Sequence, residues 1–115
     1  MRAKGNEGEE LAANTLKQKG FSVLERNVRF SVGEIDIIAQ KGTSLYFFEV
    51  KFRGQHALAG AIEVITHHQM KRIRRAASLY LMKYEKKKGE IPMAFLGVVA
   101  IDGQGNVEII EDAFE

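Results

Sequence analysis

Apolar and polar positions recur with different periods along this chain, and the changes of period divide it into elements. Across residues 6–19, Leu11, Ala12, Thr15, Leu16 and Lys19 fall at helical spacing, and Gly20 stands where a left-handed residue would end the helix. Asn6 is the expected N-cap, with Glu7, Glu9 and Glu10 near the positive end of the dipole. Phe21–Phe30 reads as a strand with an irregularity near Arg26-Asn27, and Ser31-Val32-Gly33 turns the chain, Gly33 being the residue expected to supply a positive φ. Ile35–Ala39 and Leu45–Phe52 are rich in β-branched or aromatic residues and flank Lys41-Gly42-Thr43, which predicts a hairpin. A glycine- and alanine-rich loop occupies residues 54–60. Thr66-His67-His68-Gln69 then fits a capping box and opens a long helix whose core stripe is Met70, Ile73, Ala77, Tyr80, Leu81 and Tyr84, ending at Gly89. Phe95–Ile101 is a nearly continuous apolar run, as in a strand covered on both sides, and Val107–Ile110 is a short last strand beyond the Asp102–Asn106 turn. The expectation is an α/β fold, a mixed central sheet with helices packed on it in the order α-β-β-β-α-β-β, forming one domain over residues 1–115.

The hairpin carries charges where its pattern calls for apolar residues. Side chains alternate faces along a strand, so Glu34, Asp36 and Ile38 share one face of the first strand, opposite Ile35, Ile37 and Ala39. On the second strand Phe47, Glu49 and Lys51 share a face. Should Asp36 and Glu49 oppose each other, their repulsion amounts to roughly 3–4 kcal/mol at an effective dielectric near 20. A cation between them removes that cost. Two carboxylates with a nearby lysine describe a Mg²⁺ or Mn²⁺ site of the phosphate-handling kind, in which the ion keeps several waters. The bland alternative is a structural ion pair between Lys51 and either acid. Glu9 falls on the core-facing stripe with Ala12, Ala13 and Leu16, whereas Glu10 shares its side with Asn14 and Lys17 and should face solvent.

Charge placement adds a second expectation. The net charge is only +2, yet residues 66–90 carry eight Lys/Arg against Glu85 and Glu90, a local excess of +6 that leaves −4 for the rest. Such asymmetry predicts one basic surface and a polyanionic partner. Lys71, Arg72, Arg74 and Arg75 form a basic flank at the start of the second helix, and Arg53 follows Lys51 on the same strand face. These five are the candidate nucleic-acid contacts, with affinity from phosphates and recognition by shape, since no base-reading motif is present. With no cysteine, disulfides and thiolate metal sites are excluded. No apolar run approaches the roughly 18–20 residues that span a bilayer, and the N-terminus lacks a signal-peptide core, so a cytoplasmic location without membrane contact is expected. His67 and His68, adjacent at a helix start, point about 100° apart and make poor chelators.

The spacing Asp36, twelve residues, Glu49-Val50-Lys51 resembles the PD-(D/E)xK nuclease signature, with Ile35 in the proline position. Together with Gly8-Glu9-Glu10-Leu11-Ala12, Gly20-Phe21, Arg26-Asn27, Gly33-Glu34-Ile35-Asp36 and Phe48-Glu49-Val50-Lys51-Phe52-Arg53, it looks like the YraN-like family of small bacterial proteins. That family is placed in the nuclease superfamily and is similar to archaeal Holliday-junction resolvases. The resemblance implies a restriction-endonuclease-like fold and a Mg²⁺- or Mn²⁺-dependent endonuclease acting on structured DNA, DNA rather than RNA. Asp36, Glu49, Glu9 and the backbone oxygen of Val50 would hold the metal, with Lys51 catalytic and Glu34 and Gln69 supporting. Gln69 stands where the family usually shows a lysine, and Ala94-Phe95-Leu96 where it usually shows Arg-Phe-Asp. Symmetric cutting by resolvases implies a homodimer. The alternative is a nucleic-acid-binding module that keeps the fold without catalysis.

Overall fold

The computed structural model describes residues 3–52 and 67–113, with side chains from Glu7 onward. Its elements are α1 (Ala3–Gln18), β1 (Ser22–Phe30), β2 (Gly33–Lys41), β3 (Ser44–Phe52), α2 (His67–Lys88), β4 (Ala94–Ile101) and β5 (Val107–Ile110). They appear in the expected order. The strands form one sheet, β1-β2-β3-β4-β5, antiparallel at every step except β3–β4, which is parallel. A parallel neighbour needs a crossover, and the segment containing α2 supplies it.

Alternation along the strands sends side chains to two different helices. Ile37, Ala39, Phe48, Val99 and Ile101 pack with Ala12, Ala13 and Leu16 of α1. Ile38, Leu45 and Phe47 pack instead with Ala76 and Ala77 of α2, and Val98 with Ile73. The sheet is thus covered on both faces, which is why Val98–Ile101 are all buried and read as a continuous apolar run. On the α1 side, Phe21 meets Tyr46 and Phe48 edge-on, with ring centroids 5.0 and 5.6 Å away.

The ends of both helices follow from glycine. At the end of α1, Gly20 has φ 98°, its N–H reaches the Lys17 carbonyl, and the Phe21 N–H reaches that of Leu16. These two bonds, with Phe21 and Leu16 in one core cluster, are the Schellman arrangement. Gly89, at φ 83°, closes α2 by donating to the Glu85 carbonyl.

Three local expectations need correction. Asn6 lies inside α1 rather than at its cap, because the helix formers Ala3 and Lys4 extend it toward the N-terminus, and the glutamates therefore fall beyond the first turn. Gly33 does not have a positive φ; it is required for space, since a Cβ there would lie 2.6 Å from the Arg72 carbonyl oxygen of α2. Ile35 packs with Ile38 on the α2 side, not with Ile37 and Ala39. The β2–β3 ladder ends at Ile37–Phe48, so the start of β2 is no longer held flat against β3. The loop 54–60, Thr66 and Arg53 lie outside the described residues.

Candidate functional site

Where the β2–β3 ladder ends, the next step of its register would bring Asp36 opposite Glu49. There the side chain replaces the backbone pairing: Oδ2 of Asp36 accepts the Val50 N–H at 2.8 Å. In a strand the N–H and C=O of one residue face the same edge, so the Val50 carbonyl also faces β2. Asp36 and Glu49 line one small cavity of about 130 Å³, together with Glu34 from β2 and Gln69, Arg72 and Ile73 from the first turns of α2. The Gly33–Arg72 approach is what brings α2 close enough to complete this wall.

The electrostatics are those of like charges held together. Burial raises the Asp36 carboxyl from the ordinary 3.8 to about 7, the charge of Glu49 adding most to it and those of Glu9 and Glu34 less, against the opposing Val50 hydrogen bond. Lys51 Nζ stands 3.2 Å from Glu49 Oε2, with both side chains mostly covered, at 21% and 17% exposure. This is the ion pair weighed in the sequence, and it involves Glu49 rather than Asp36.

Glu9 behaves as its helical position requires but not as a wall of the cavity. It is buried at 8% exposure on the sheet-facing side of α1, where Oε1 accepts from Asn27 Nδ2 at 3.1 Å. Its charge is felt by Asp36, yet it does not line the pocket that Asp36 shares with Glu49. Glu10 points outward and pairs with Arg26 at 2.9 Å. Among the described residues, no three acidic or imidazole side chains gather closely enough to cage a metal ion. The donor set still fits a hydrated divalent ion, which needs only one or two carboxylates, and the repulsion from Glu49, which adds to burial in raising Asp36, is what such an ion would relieve.

The basic flank divides. Arg72 joins the cavity, whereas Arg74 borders a separate one beside β4 with Phe47 and Leu96, and Lys71 and Arg75 are exposed. Gln69, the last residue of the capping-box pattern, lines the same cavity as the carboxylates. Asn27 was not singled out in the sequence as a site residue, although an irregularity was expected beside it. It holds Glu9 and sits at φ 54°, a conformation asparagine tolerates better than most residues.

The uncharacterised protein family UPF0102 matches residues 8–101, a span containing all of these site residues. The chain belongs to that family. A UPF0102 protein of Shewanella oneidensis is 40% identical over 110 residues, 96% of this chain and 97% of the relative. One of Syntrophomonas wolfei is 34% identical over 93% of each chain. One of Shewanella sediminis reaches 46% identity over a shorter stretch, 67% of this chain and 66% of its own. Within this UPF0102 member, no described helix is long and apolar enough to cross a membrane.

Proposed function

We propose that this UPF0102 protein is a divalent-metal-dependent endonuclease of the PD-(D/E)xK type, hydrolysing phosphodiester bonds in branched or otherwise structured DNA. One observation supports it above the others: Asp36 and Glu49 are held side by side in a polar cavity against their mutual repulsion, with Lys51 paired to Glu49. Asp36, Glu49 and the Val50 carbonyl would hold Mg²⁺ or Mn²⁺, with Glu9 behind Asp36. The bound ion supplies Lewis acidity toward the scissile phosphate.

The remaining work belongs to the chain's own groups. Lys51, half-buried against Glu49, can turn its ammonium toward the attacking water or the phosphate, lowering the proton affinity of the one or stabilising charge on the other. Arg72, which lines the cavity, would offer its guanidinium to a nonbridging phosphate oxygen, and Gln69 a neutral amide donor in place of a lysine. Glu9, fixed by Asn27, adds negative charge behind Asp36 and so strengthens the cavity's demand for a cation. A nuclease acting on branched substrates at two symmetric positions would work as a homodimer.

Incubation with Mn²⁺ and a panel of branched DNAs tests the reading. Nicking is expected, and Asp36→Ala should abolish it; a panel left intact, or cut equally by the variant, overturns the assignment. The Glu49–Lys51 bridge favours a second reading, a nucleic-acid-binding module that keeps the fold without catalysis. That reading requires binding in EDTA that survives Glu49→Gln and no cleavage under any metal.

A further inference from the structure

A groove of about 740 Å³, several times the volume of the Asp36 cavity, runs between β1 and the C-terminal half of α2. Its floor is apolar and aromatic: Leu24, Val28, Phe30, Tyr80 and Tyr84. Its rim is basic, with Arg29 on the strand side and Lys83, Lys86, Lys87 and Lys88 on the helix side, against Glu25 as the one acid among the described lining residues. Lysines in a last helical turn suit the negative end of the dipole, which accounts for Lys86–Lys88 as a solvated helix end. It does not account for Lys83, a turn earlier, whose Nζ lies 5.2 Å over the Phe30 ring, or for Arg29 arriving from another element. Nor does it account for Leu24, which a register shift of β1 against β2 between Val23 and Glu25 leaves without a ladder partner and which remains 39% exposed on the groove.

Basic rim and aromatic floor together discriminate between nucleic-acid forms. A duplex presents phosphates and sugars outward while its bases stay stacked inside, so it could use the rim and would leave the floor idle. A single strand presents phosphates and unstacked bases at once and matches both. The groove also adjoins the carboxylate cavity. Arg29, which lines the groove, pairs in register with Glu34, which lines the cavity, their charged ends 3.8 Å apart.

We propose that this groove binds a single-stranded nucleic-acid segment, phosphates on Arg29, Lys83 and the Lys86–Lys88 run and a base against Tyr84. The groove deepens the nuclease reading only in direction, since a strand leaving the cavity past Glu34 and Arg29 would enter it. From Arg72 to Lys87 the helix covers roughly 22 Å along its axis, so one strand could contact both ends of α2.

The test uses the full chain carrying Asp36→Asn, in EDTA, with fluorescence anisotropy of a labelled oligothymidylate and of a blunt duplex of equal length, each titrated across salt. The single strand should bind about tenfold tighter or better. Replacing Lys83 and Lys87 by alanine, both at exposed positions, should flatten the slope of log K against log salt by about 1.4, two contacts at about 0.7 each. Tyr84→Ala should weaken binding about tenfold with the slope unchanged, and Tyr84→Phe, which keeps the ring, should retain affinity. Equal affinity for duplex and single strand, or a slope that the lysine pair leaves unmoved, overturns the proposal. Lysine-dependent strand binding by a protein that never cleaves would retire the nuclease and keep the groove. Cleavage with strand binding indifferent to Lys83 and Lys87 would retire the groove alone.

Discussion

Asp36 is where the physical tension of the molecule is concentrated. Its folded value of about 7 lies above the ordinary 3.8, so the native state holds that proton more tightly than the unfolded chain does. The stability this contributes is fully present below pH 3.8 and is lost as pH rises through about 7. The span corresponds to roughly 4 kcal/mol between the two ends. Thermal unfolding in EDTA should therefore show the wild type weakening between about pH 4 and 7, while Asp36→Asn, whose amide oxygen can still accept the Val50 N–H, unfolds with a flatter pH profile and exceeds the wild type above pH 8. A wild-type profile as flat as the variant's would show that Asp36 ionises freely. Asn27 offers a second measurement at this scale. It combines a left-handed backbone with a hydrogen bond to Glu9, so Asn27→Ala should cost about 2 kcal/mol, the sum of about 1 for the φ and about 1 for the bond. Asn27→Gly relieves the φ and not the bond, and the gap between the two variants in chemical denaturation separates the contributions.

At the scale of elements, the site depends on how closely α2 approaches the start of β2. Gly33 permits that approach, and any side chain there meets backbone rather than a movable tip: the Arg72 oxygen at 2.6 Å and its carbonyl carbon at 3.1 Å. Gly33→Ala should lower stability by about 1–3 kcal/mol, as overpacking commonly does. It should also shift Gln69 and Arg72 relative to the carboxylates, with a rate loss of up to about 10²-fold for a displacement near 1 Å. Gly103→Ala, where a Cβ would meet nothing within 4 Å, is the neutral control. The same contact marks where the sequence stops being informative. Period and turn chemistry reveal the seven elements in order, the hairpin, the Gly20 stop and the shared face of Asp36 with Glu34, because each is written in residues near one another. What covers a face is not written locally. Glycine at 33 looks like a turn residue until Arg72 is seen above it, Glu9 looks like a third wall of the cavity until α1 is seen on the other side of the sheet, and nothing near Lys83 announces Phe30.

Across the whole molecule, the charge asymmetry of the chain becomes spatial. Acidic residues from β2 and β3 meet in one cavity, and the basic excess lies along α2 from Arg72 at that cavity to Lys83–Lys88 at the groove. On the proposed reading, a divalent ion entering the cavity would neutralise a repulsion that the folded state carries and the unfolded chain does not, and binding and folding would be linked. At a free Mn²⁺ concentration about 100 times its dissociation constant, the native state gains about 2.7 kcal/mol. For a domain of this size that raises the unfolding midpoint by roughly 10 °C. The gain should be larger at pH 8 than at pH 5.5, because the proton that competes with the ion for Asp36 is half lost only near pH 7. Asp36→Ala should remove the Mn²⁺-dependent rise while responding normally to sodium chloride of matched ionic strength, which separates a site from general screening. A midpoint that Mn²⁺ leaves unmoved at both pH values, or moves equally in the variant, would mean that Glu49 satisfies itself with Lys51 and that the cavity holds no ion.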